Sequence, residues 1–331
     1  MAYAPALNLT TSTATLKHLA TVYYKKVALR ALRAKLFFAQ AMMPDDIPNR
    51  SGKTAQWYRP VPLAALTTPA TEGAVGAGIG LASAIYTGTV AEYSDFTSTS
   101  ALLQETAIND MITMASKEMS YRAALSVDTI NRLAIEGGGA AIVATIGANM
   151  TLNDIRKTAK LLEGLNVQGI NGGDFIWITS PWNVYDVISD NTAGGFLDAV
   201  KYTSAPAALD GTMGNGLAFS GEIGKAGDCR IVATTNVGND GTVAPGAKYY
   251  NYCVGDQAFG ALALTGQGPT DVQDPDKQTF KLNVVAGGPN TADPQGMIGS
   301  YVSYRFVYAA VSLNDATAYR YSIVKADSSI I

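Results

Sequence analysis

The sequence is poor in the residues that most often carry chemistry. Among 331 residues it has one histidine, His18, and two cysteines, Cys229 and Cys253. Metal centres and nucleophilic sites usually need several such side chains together, and two cysteines provide neither a disulfide framework nor metal-ligand spacing. A reducing compartment is therefore expected. We predict no catalytic residue, no cofactor and no metal, although an active site built on a carboxylate pair stays open.

Nucleotide-binding and hydrolase motifs are also missing. The glycines at 76, 78 and 80 do not form G-x-G-x-x-G, because Leu81 and Ser83 occupy the positions of the last glycine. Gly241 and Gly246 have the spacing of a P-loop, but Ala247-Lys248 follows in place of Lys-Ser/Thr. No serine lies in a G-x-S-x-G turn. These absences argue against an enzyme.

Charge is scarce and unevenly distributed. Charged residues make up 15% of the chain, against about 25% in ordinary globular proteins, and the cores of protein interfaces are depleted in charge. Residues 1–60 hold nine Lys or Arg and two Asp, a net charge of +7, so the remainder carries −10 to give the total of −3. A basic end on an acidic body indicates contact with a polyanion or with acidic sister subunits, while a solvated helix face remains open. The candidate basic residues are Lys25, Lys26, Arg30, Arg33 and Lys35.

Long apolar runs are also absent. Residues 73–91 carry no charge over 19 positions, but their five glycines make them too weakly apolar to insert into a bilayer. The N-terminus lacks a basic stretch followed by an apolar one, so we expect neither a signal peptide nor a membrane span.

What the chain does have is a long segment rich in Gly, Thr, Ala and Pro at residues 51–95. Its aromatic residues argue against disorder, and its two ends, 54–61 and 86–93, mix β-branched and aromatic residues around a Gly/Pro-rich middle. The segment therefore predicts a long two-stranded arm. An isolated hairpin is marginally stable in water, so we expect this arm to lie on another copy of the protein.

The flanking segments are predicted to be helical, and the remainder mixes helices and strands. Apolar periodicity predicts one helix from Leu16 to Met43, stopped by Pro44, and another from Leu102 to Glu136 that is about 50 Å long. Thr151 and Asp154 form a capping box that opens a helix to Leu165. Further predicted elements are a strand at Phe175–Thr179, a helix from Pro181 to Ile188, and strands at Cys229–Thr235, Lys248–Val254, Ala258–Leu264, Phe280–Val285, Tyr301–Leu313 and Tyr319–Val324.

The order of several short signatures resembles that of the major capsid proteins of tailed bacteriophages, which share the Johnson-type fold, and especially the compact family of short-tailed phages. The resemblance covers most of the chain. The signatures are Ile47-Pro48 followed by Gly52-Lys53-Thr54, Thr71-Glu72-Gly73, Tyr93, Asp128, Gly221-Glu222-Ile223-Gly224 before a strand at Ile231, and Ala292-Asp293-Pro294-x-Gly296.

This resemblance implies an α+β Johnson-type phage capsid fold. It has an N-terminal arm, an extended β-hairpin called the E-loop, a P-domain with a long spine helix, and an α/β A-domain. The implied boundaries are 1–50 for the N-terminal arm with its basic helix, 51–95 for the E-loop, 96–148 for the spine helix, 149–254 for the A-domain, 255–312 for the return strands of the P-domain and 313–331 for a C-terminal strand.

The resemblance also implies hexamers and pentamers that form an icosahedral virion head around packaged DNA, assembled in the host bacterial cytoplasm. Expected partners are other copies of the chain, separate scaffolding, portal and decoration proteins, and DNA bound without sequence preference. An encapsulin-type nanocompartment shell is the alternative, and a soluble α/β enzyme or a secreted β-rich binding protein is a more distant one. The residues expected to contact a neighbouring subunit are Lys53, Trp57, Tyr58, Arg59, Glu72, Gly73, Tyr86 and Tyr93.

Overall fold

The strands of the described residues form two β-sheets and a separate two-stranded hairpin. The computed structural model describes residues 36–48, 50–69, 72–73, 78–107, 110–138, 142–170, 173–190, 222–241, 248–264, 281–285, 299–314 and 319–328. The hairpin consists of β2 (Thr54–Pro60) and β3 (Ser83–Thr89), which pair antiparallel with each other. The two-stranded arm predicted from the sequence is therefore confirmed. Its second strand ends at Thr89, however, and does not continue to Tyr93.

The first sheet has five strands and carries the longest helix on one face. Its long central strand β12 (Gly299–Ser312) pairs antiparallel with β4 (Ala91–Ser100), β10 (Phe259–Leu264) and β11 (Lys281–Val285). The edge strand β1 (Met43–Ile47) pairs parallel with β10. Alternate residues of β12, including Tyr304 and Phe306, pack against Met119 and Ala123 of the helix, as the period of two in a strand requires.

Two short N-capping signals divide the predicted spine helix. Helix α1 (Ala101–Thr106) begins after Ser100, whose hydroxyl accepts the Leu103 N–H, and α2 (Met111–Gly137) begins after Asp110. The carboxylate of Asp110 accepts the N–H groups of Ile112 and Thr113. The single helix predicted for Leu102–Glu136 was thus wrong at its start, because a side-chain cap at Asp110 opens a new helix.

The second sheet has six strands in the order β5 (Ile142–Asn149), β13 (Tyr321–Asp327), β9 (Tyr249–Val254), β6 (Phe175–Thr179), β8 (Cys229–Ala233) and β7 (Glu222–Ala226). One face packs against α3 (Leu152–Gly164), which opens on the predicted capping box. The helix α4 (Pro181–Ser189) follows β6 and is capped by Ser180. Residues 313–331, indicated by the sequence as a separate C-terminal strand, thus contribute β13 to the interior of this sheet.

The other face of the six-stranded sheet covers the chain just before β1. Phe37 and Phe38 are buried against Tyr252, Tyr321 and the end of α2. Phe38–Ala41 forms a 3₁₀ helix, and β1 follows directly. The helix predicted to reach Met43 was therefore wrong at its end, and its residues up to 35 lie outside the described part. Pro44 fits a strand here because β1 is an edge strand, where a missing N–H is tolerated.

Candidate functional site

The candidate site is the hairpin arm, by which we mean β2, β3 and the residues between them. Its strands pair in register from Thr54 opposite Thr89 to Pro60 opposite Ser83. The pairing continues at both ends: the Val61 N–H donates to the Ala82 oxygen at 2.9 Å, and the Val90 N–H donates to the Lys53 oxygen at 2.9 Å. We call the paired strands the root and residues 61–82 the tip.

One face of the root lies on the chain's own five-stranded sheet. Exposure alternates along both strands, so that Trp57 and Tyr86 point inward and Tyr58 and Ile85 point outward. The indole of Trp57 packs where two glycines leave room for it. A Cβ atom built on Gly88 would lie 2.9 Å from the Trp57 ring, and one built on Gly260 would lie 3.1 Å from it. The absence of these side chains is what permits the close approach.

Arg59 fastens the root to the body of the subunit. Its guanidinium donates to the backbone oxygen of Leu313 at 2.6 Å and to that of Gln257 at 2.9 Å. The same group lies 5.4 Å from the centre of the Tyr86 ring on the neighbouring arm strand, within the range of a cation–π contact. One side chain therefore joins both arm strands to the body.

The outer face and the described residues of the tip are largely apolar and exposed. Tyr58 is 80% exposed and Ile85 is 63% exposed on the outer face, while Leu66 and Leu81 in the tip are 82% and 86% exposed. Contiguous exposed apolar surface marks interaction sites more often than isolated exposed residues do. The tip also holds the exposed Glu72 and Gly73, and Gly73 has a left-handed φ of 80°.

A second exposed surface lies on the five-stranded sheet, beyond the root. The root covers Val307 and Ala309 on the face opposite α2. Farther along β12 the same face passes through Ser303, whose partner Phe96 is 66% exposed. Beside them is an open cavity of about 340 Å³, lined by hydroxyl-bearing residues, Gly299 and the rings of Phe96 and Tyr301. We call this surface the Phe96 face.

The structure separates the eight predicted arm residues into two groups. Lys53, Tyr58, Glu72 and Gly73 are exposed. The others already contact their own chain: Trp57, Arg59 and Tyr86 hold the root, and Tyr93 lies on β4, where its ring stacks on Phe306 at 5.2 Å under α2. The basic residues Lys25, Lys26, Arg30, Arg33 and Lys35 lie outside the described residues.

Sequence reasoning missed several exposed apolar residues, namely Leu63, Leu66, Ile79, Leu81, Ile85 and Phe96. The period of two in the root could have identified Ile85. A strand that places Tyr86 inward must place its neighbour outward. No comparable signal marked Phe96, because its exposure depends on how much of the sheet the arm covers.

A buried polar network ties α2 to its surroundings. The Asp128 carboxylate accepts the Phe38 N–H at 2.9 Å and the Asn236 side-chain amide at 2.7 Å. Burial raises the pKa of Asp128 above its ordinary value, although these hydrogen bonds oppose the shift. About two turns farther along α2, Glu136 accepts the Tyr252 hydroxyl at 2.6 Å. Burial, together with this carboxylate, raises the pKa of Tyr252. The network therefore joins the spine helix to the six-stranded sheet.

Within the described ranges, no three His, Cys, Asp or Glu side chains are grouped so that they could hold a metal ion. None of the helices described above is long and apolar enough to span a bilayer.

Comparison with solved structures places this fold among phage capsids. The capsid of Ralstonia phage GP4 superposes with a TM-score of 0.69 at 11% identity, covering 93% of this chain and 95% of that one. The head structure of Helicobacter pylori bacteriophage KHP40 gives 0.66 at 12% identity, with 98% and 100% covered. The capsid of cyanophage Pam1 gives 0.65 at 10% identity, with 97% and 98% covered. No family model and no curated protein matches the chain. The predicted α+β Johnson-type capsid fold is confirmed.

Proposed function

We propose that this chain is the major capsid protein of a tailed bacteriophage, a structural protein that assembles through hexamers and pentamers into the icosahedral head around double-stranded DNA. The observation that carries the proposal is the similarity to phage capsid chains over nearly the full length of both partners. A short-tailed phage remains our prediction for the subfamily. The protein is located in the virion, and its assembly takes place in the host cytoplasm.

The hairpin arm is the part of the chain that we assign to lattice contacts. Its outer face and tip expose Tyr58, Leu66 and Leu81 to solvent. Burying one large apolar side chain contributes about 1.5–3 kcal/mol, before the entropy of association is subtracted. Each arm contact is therefore weak, and a closed shell gains its stability from repeating the contact many times.

The Phe96 face is the partner surface that we propose for a neighbouring arm. It is the uncovered continuation of the face on which the chain's own root lies. It combines the exposed Phe96 ring with an ion pair in which Arg305 lies 2.7 Å from Glu92. An apolar centre with a polar rim is the usual make-up of a protein interface.

The remaining partners follow from the same proposal. Separate scaffolding, portal and decoration proteins are expected to take part in assembling the shell. The basic N-terminal segment binds either packaged DNA or an acidic sister subunit, and contacts with DNA would be sequence-independent and sensitive to salt.

The size of the purified protein tests this function directly. Sedimentation velocity and negative-stain electron microscopy should show capsomers and closed shells in the megadalton range. A stable monomer or dimer under all conditions, with or without a scaffolding protein, would overturn the proposal and favour a soluble α/β enzyme. Shells that contain a cargo protein in place of DNA would indicate a nanocompartment.

A further inference from the structure

Two short passages of the chain between the two sheets lie side by side. The first leads from β9 to β10 through residues 255–258, and the second leads from β12 toward β13 through Leu313. The Leu313 N–H donates to the Ala258 oxygen at 2.9 Å, and the Gly255 N–H donates to the Arg320 oxygen at 3.0 Å. These hydrogen bonds make the passages a single junction between the sheets.

Arg59 binds one carbonyl oxygen in each passage. Its two terminal nitrogens donate to Leu313 and to Gln257, at 2.6 Å and 2.9 Å. Gln257 has a left-handed φ of 51°, a conformation that L residues other than glycine adopt at a cost and that often marks a functional position. A planar guanidinium can donate along two directions at once, which a lysine ammonium cannot do with the same geometry.

The rest of the root restricts how the arm can leave the body. The guanidinium also lies against the Tyr86 ring on the second arm strand. Trp57, on the first strand, fits against Gly88 and Gly260. The root is therefore held in position at the junction, at a ring contact and in a tight apolar contact, all within one subunit.

We propose that Arg59 is a positioning residue for assembly: it sets the direction of the hairpin arm relative to the junction of the two sheets before any neighbour binds. This inference rests on the proposed function, since the arm is assigned there to lattice contacts. Preorganisation of a binding element lowers the entropy lost on association. A fixed arm direction would also restrict the angle between neighbouring subunits, and hence the curvature of the shell.

Hydrogen exchange on unassembled full-length subunits tests whether Arg59 fixes the position of the arm before any neighbour binds. In the wild type, the root amides that donate across the strands, together with those of Val61 and Val90, should be protected. Arg59→Gln should accelerate their exchange roughly 10- to 100-fold, because two hydrogen bonds to a charged donor are lost. Arg59→Lys should resemble Arg59→Gln and not the wild type. Equal exchange in Arg59→Gln and wild type, or an unprotected wild-type root, would overturn the proposal.

Two controls keep the result interpretable. Lys53→Gln removes a positive charge from an exposed position next to β2, and it should leave exchange unchanged. Tyr86→Phe removes a buried hydroxyl that has no hydrogen-bond partner among the described residues but keeps the ring, whereas Tyr86→Leu removes the ring. Only Tyr86→Leu should accelerate exchange in the root. If Tyr86→Leu behaves like Tyr86→Phe, the contact between the Tyr86 ring and Arg59 does not help to position the arm.

The diameters of assembled particles test whether Arg59 affects the curvature of the shell, and they distinguish this role from the proposed function. Arg59→Gln subunits in which the β6 and β9 amides exchange as in the wild type should assemble into particles with a broader range of diameters, including open or tubular forms. Lys117→Gln, which removes an exposed positive charge on α2, should give particles that match the wild type. Arg59→Gln particles of uniform, wild-type diameter would overturn the role in curvature. If wild-type protein forms no shells at all, the proposed function fails, while the exchange data still decide whether Arg59 positions the arm.

Discussion

At the scale of single residues, the close contact between Trp57 and the body depends on the absence of a side chain at Gly88. A Cβ atom at this position would lie 2.9 Å from the Trp57 ring, 3.0 Å from a methyl group of Val311 and 3.3 Å from one of Leu262. Three neighbours on three different strands cannot all move away cheaply, because close-packed interiors resist the insertion of even one methyl group.

Gly88→Ala should therefore destabilise the subunit by about 1–3 kcal/mol through overpacking. Urea unfolding followed by tryptophan fluorescence would measure the loss. Gly78→Ala is the matched control, because a Cβ atom at Gly78 meets no other atom within 4 Å and its φ is not left-handed. Equal free energies of unfolding for the two variants would contradict the packing argument.

The buried carboxylate of Asp128 joins α2 to Phe38 and Asn236, although burial disfavours its charged form. Its carboxylate accepts hydrogen bonds from Phe38 and Asn236, and Arg132 lies near enough to favour its charged form. Burial nevertheless outweighs these terms and raises the pKa of Asp128 above 3.8. A carboxyl group with a raised folded-state pKa stabilises the fold below the unfolded pKa, and this contribution is lost as pH rises through the folded pKa.

Asp128→Asn, which cannot ionise, should therefore gain stability relative to the wild type as pH is raised from about 3.5 to about 7.5. Urea unfolding of both proteins at several pH values measures this difference. Asp128→Ala should be less stable than Asp128→Asn by about 1–3 kcal/mol at every pH, because it leaves the Phe38 N–H and the Asn236 amide without an acceptor. A difference between wild type and Asp128→Asn that does not change with pH would contradict the proposed effect of burial.

At the scale of elements, the hairpin arm consists of a root that folds on its own subunit and a tip that is exposed. Sequence reasoning expected the whole arm to depend on a neighbour, since an isolated hairpin is marginally stable. The contacts of Trp57 and Arg59 supply the missing support within the chain. We therefore expect only the tip and the outer face to depend on a neighbour.

Replacing residues 62–81 by Asn-Gly should leave the subunit folded and abolish shell formation. Asn-Gly suits a two-residue hairpin turn, and the Val61–Ala82 hydrogen bond that it would close is already present. The thermal midpoint should change little, whereas electron microscopy should show no closed particles. Leu66→Ser with Leu81→Ser keeps the tip's length and should weaken assembly less. Normal particles from the shortened arm would rule out the tip as a lattice contact.

Elements with local signals could be predicted from the sequence, and those without them could not. The capping box of Thr151 and Asp154 located the start of α3, and the apolar run Phe175–Thr179 matched β6. β5 and β7 were missed: β5 forms a strand by pairing with the distant β13, whereas β7 pairs with β8 across the turn at Gly227, and Gly224 and Lys225 interrupt the apolar alternation expected of a strand. Arg59 was predicted as a site residue, but its bonds to Gln257 and Leu313 depend on chain passages that no local pattern reveals.

At the scale of the whole molecule, the scarcity and distribution of charge become significant. Charged residues make up 15% of the chain. The first 60 residues carry a net charge of +7 and the rest carry −10, so the N-terminal end of the sequence is strongly basic. In a closed shell the same end of every subunit faces the same side, so small local charges add up to a large surface potential. Packaged DNA and the acidic bodies of sister subunits are the two partners that such a surface would attract.

Replacing Lys25 and Lys26 by Gln distinguishes these two partners. If the segment contacts DNA, the variant should form shells at the wild-type concentration but retain less nucleic acid, and the salt dependence of duplex binding should decrease by up to about 0.9 log units per lost phosphate contact. If it contacts sister subunits, the concentration needed for assembly should rise instead. Lys117→Gln with Lys157→Gln removes two exposed charges elsewhere and controls for net charge. If the particle yield and the nucleic-acid content match those of this control, the basic segment is only a solvated surface. Its two lysines would then behave like any other pair of exposed lysines and would contact neither DNA nor a sister subunit.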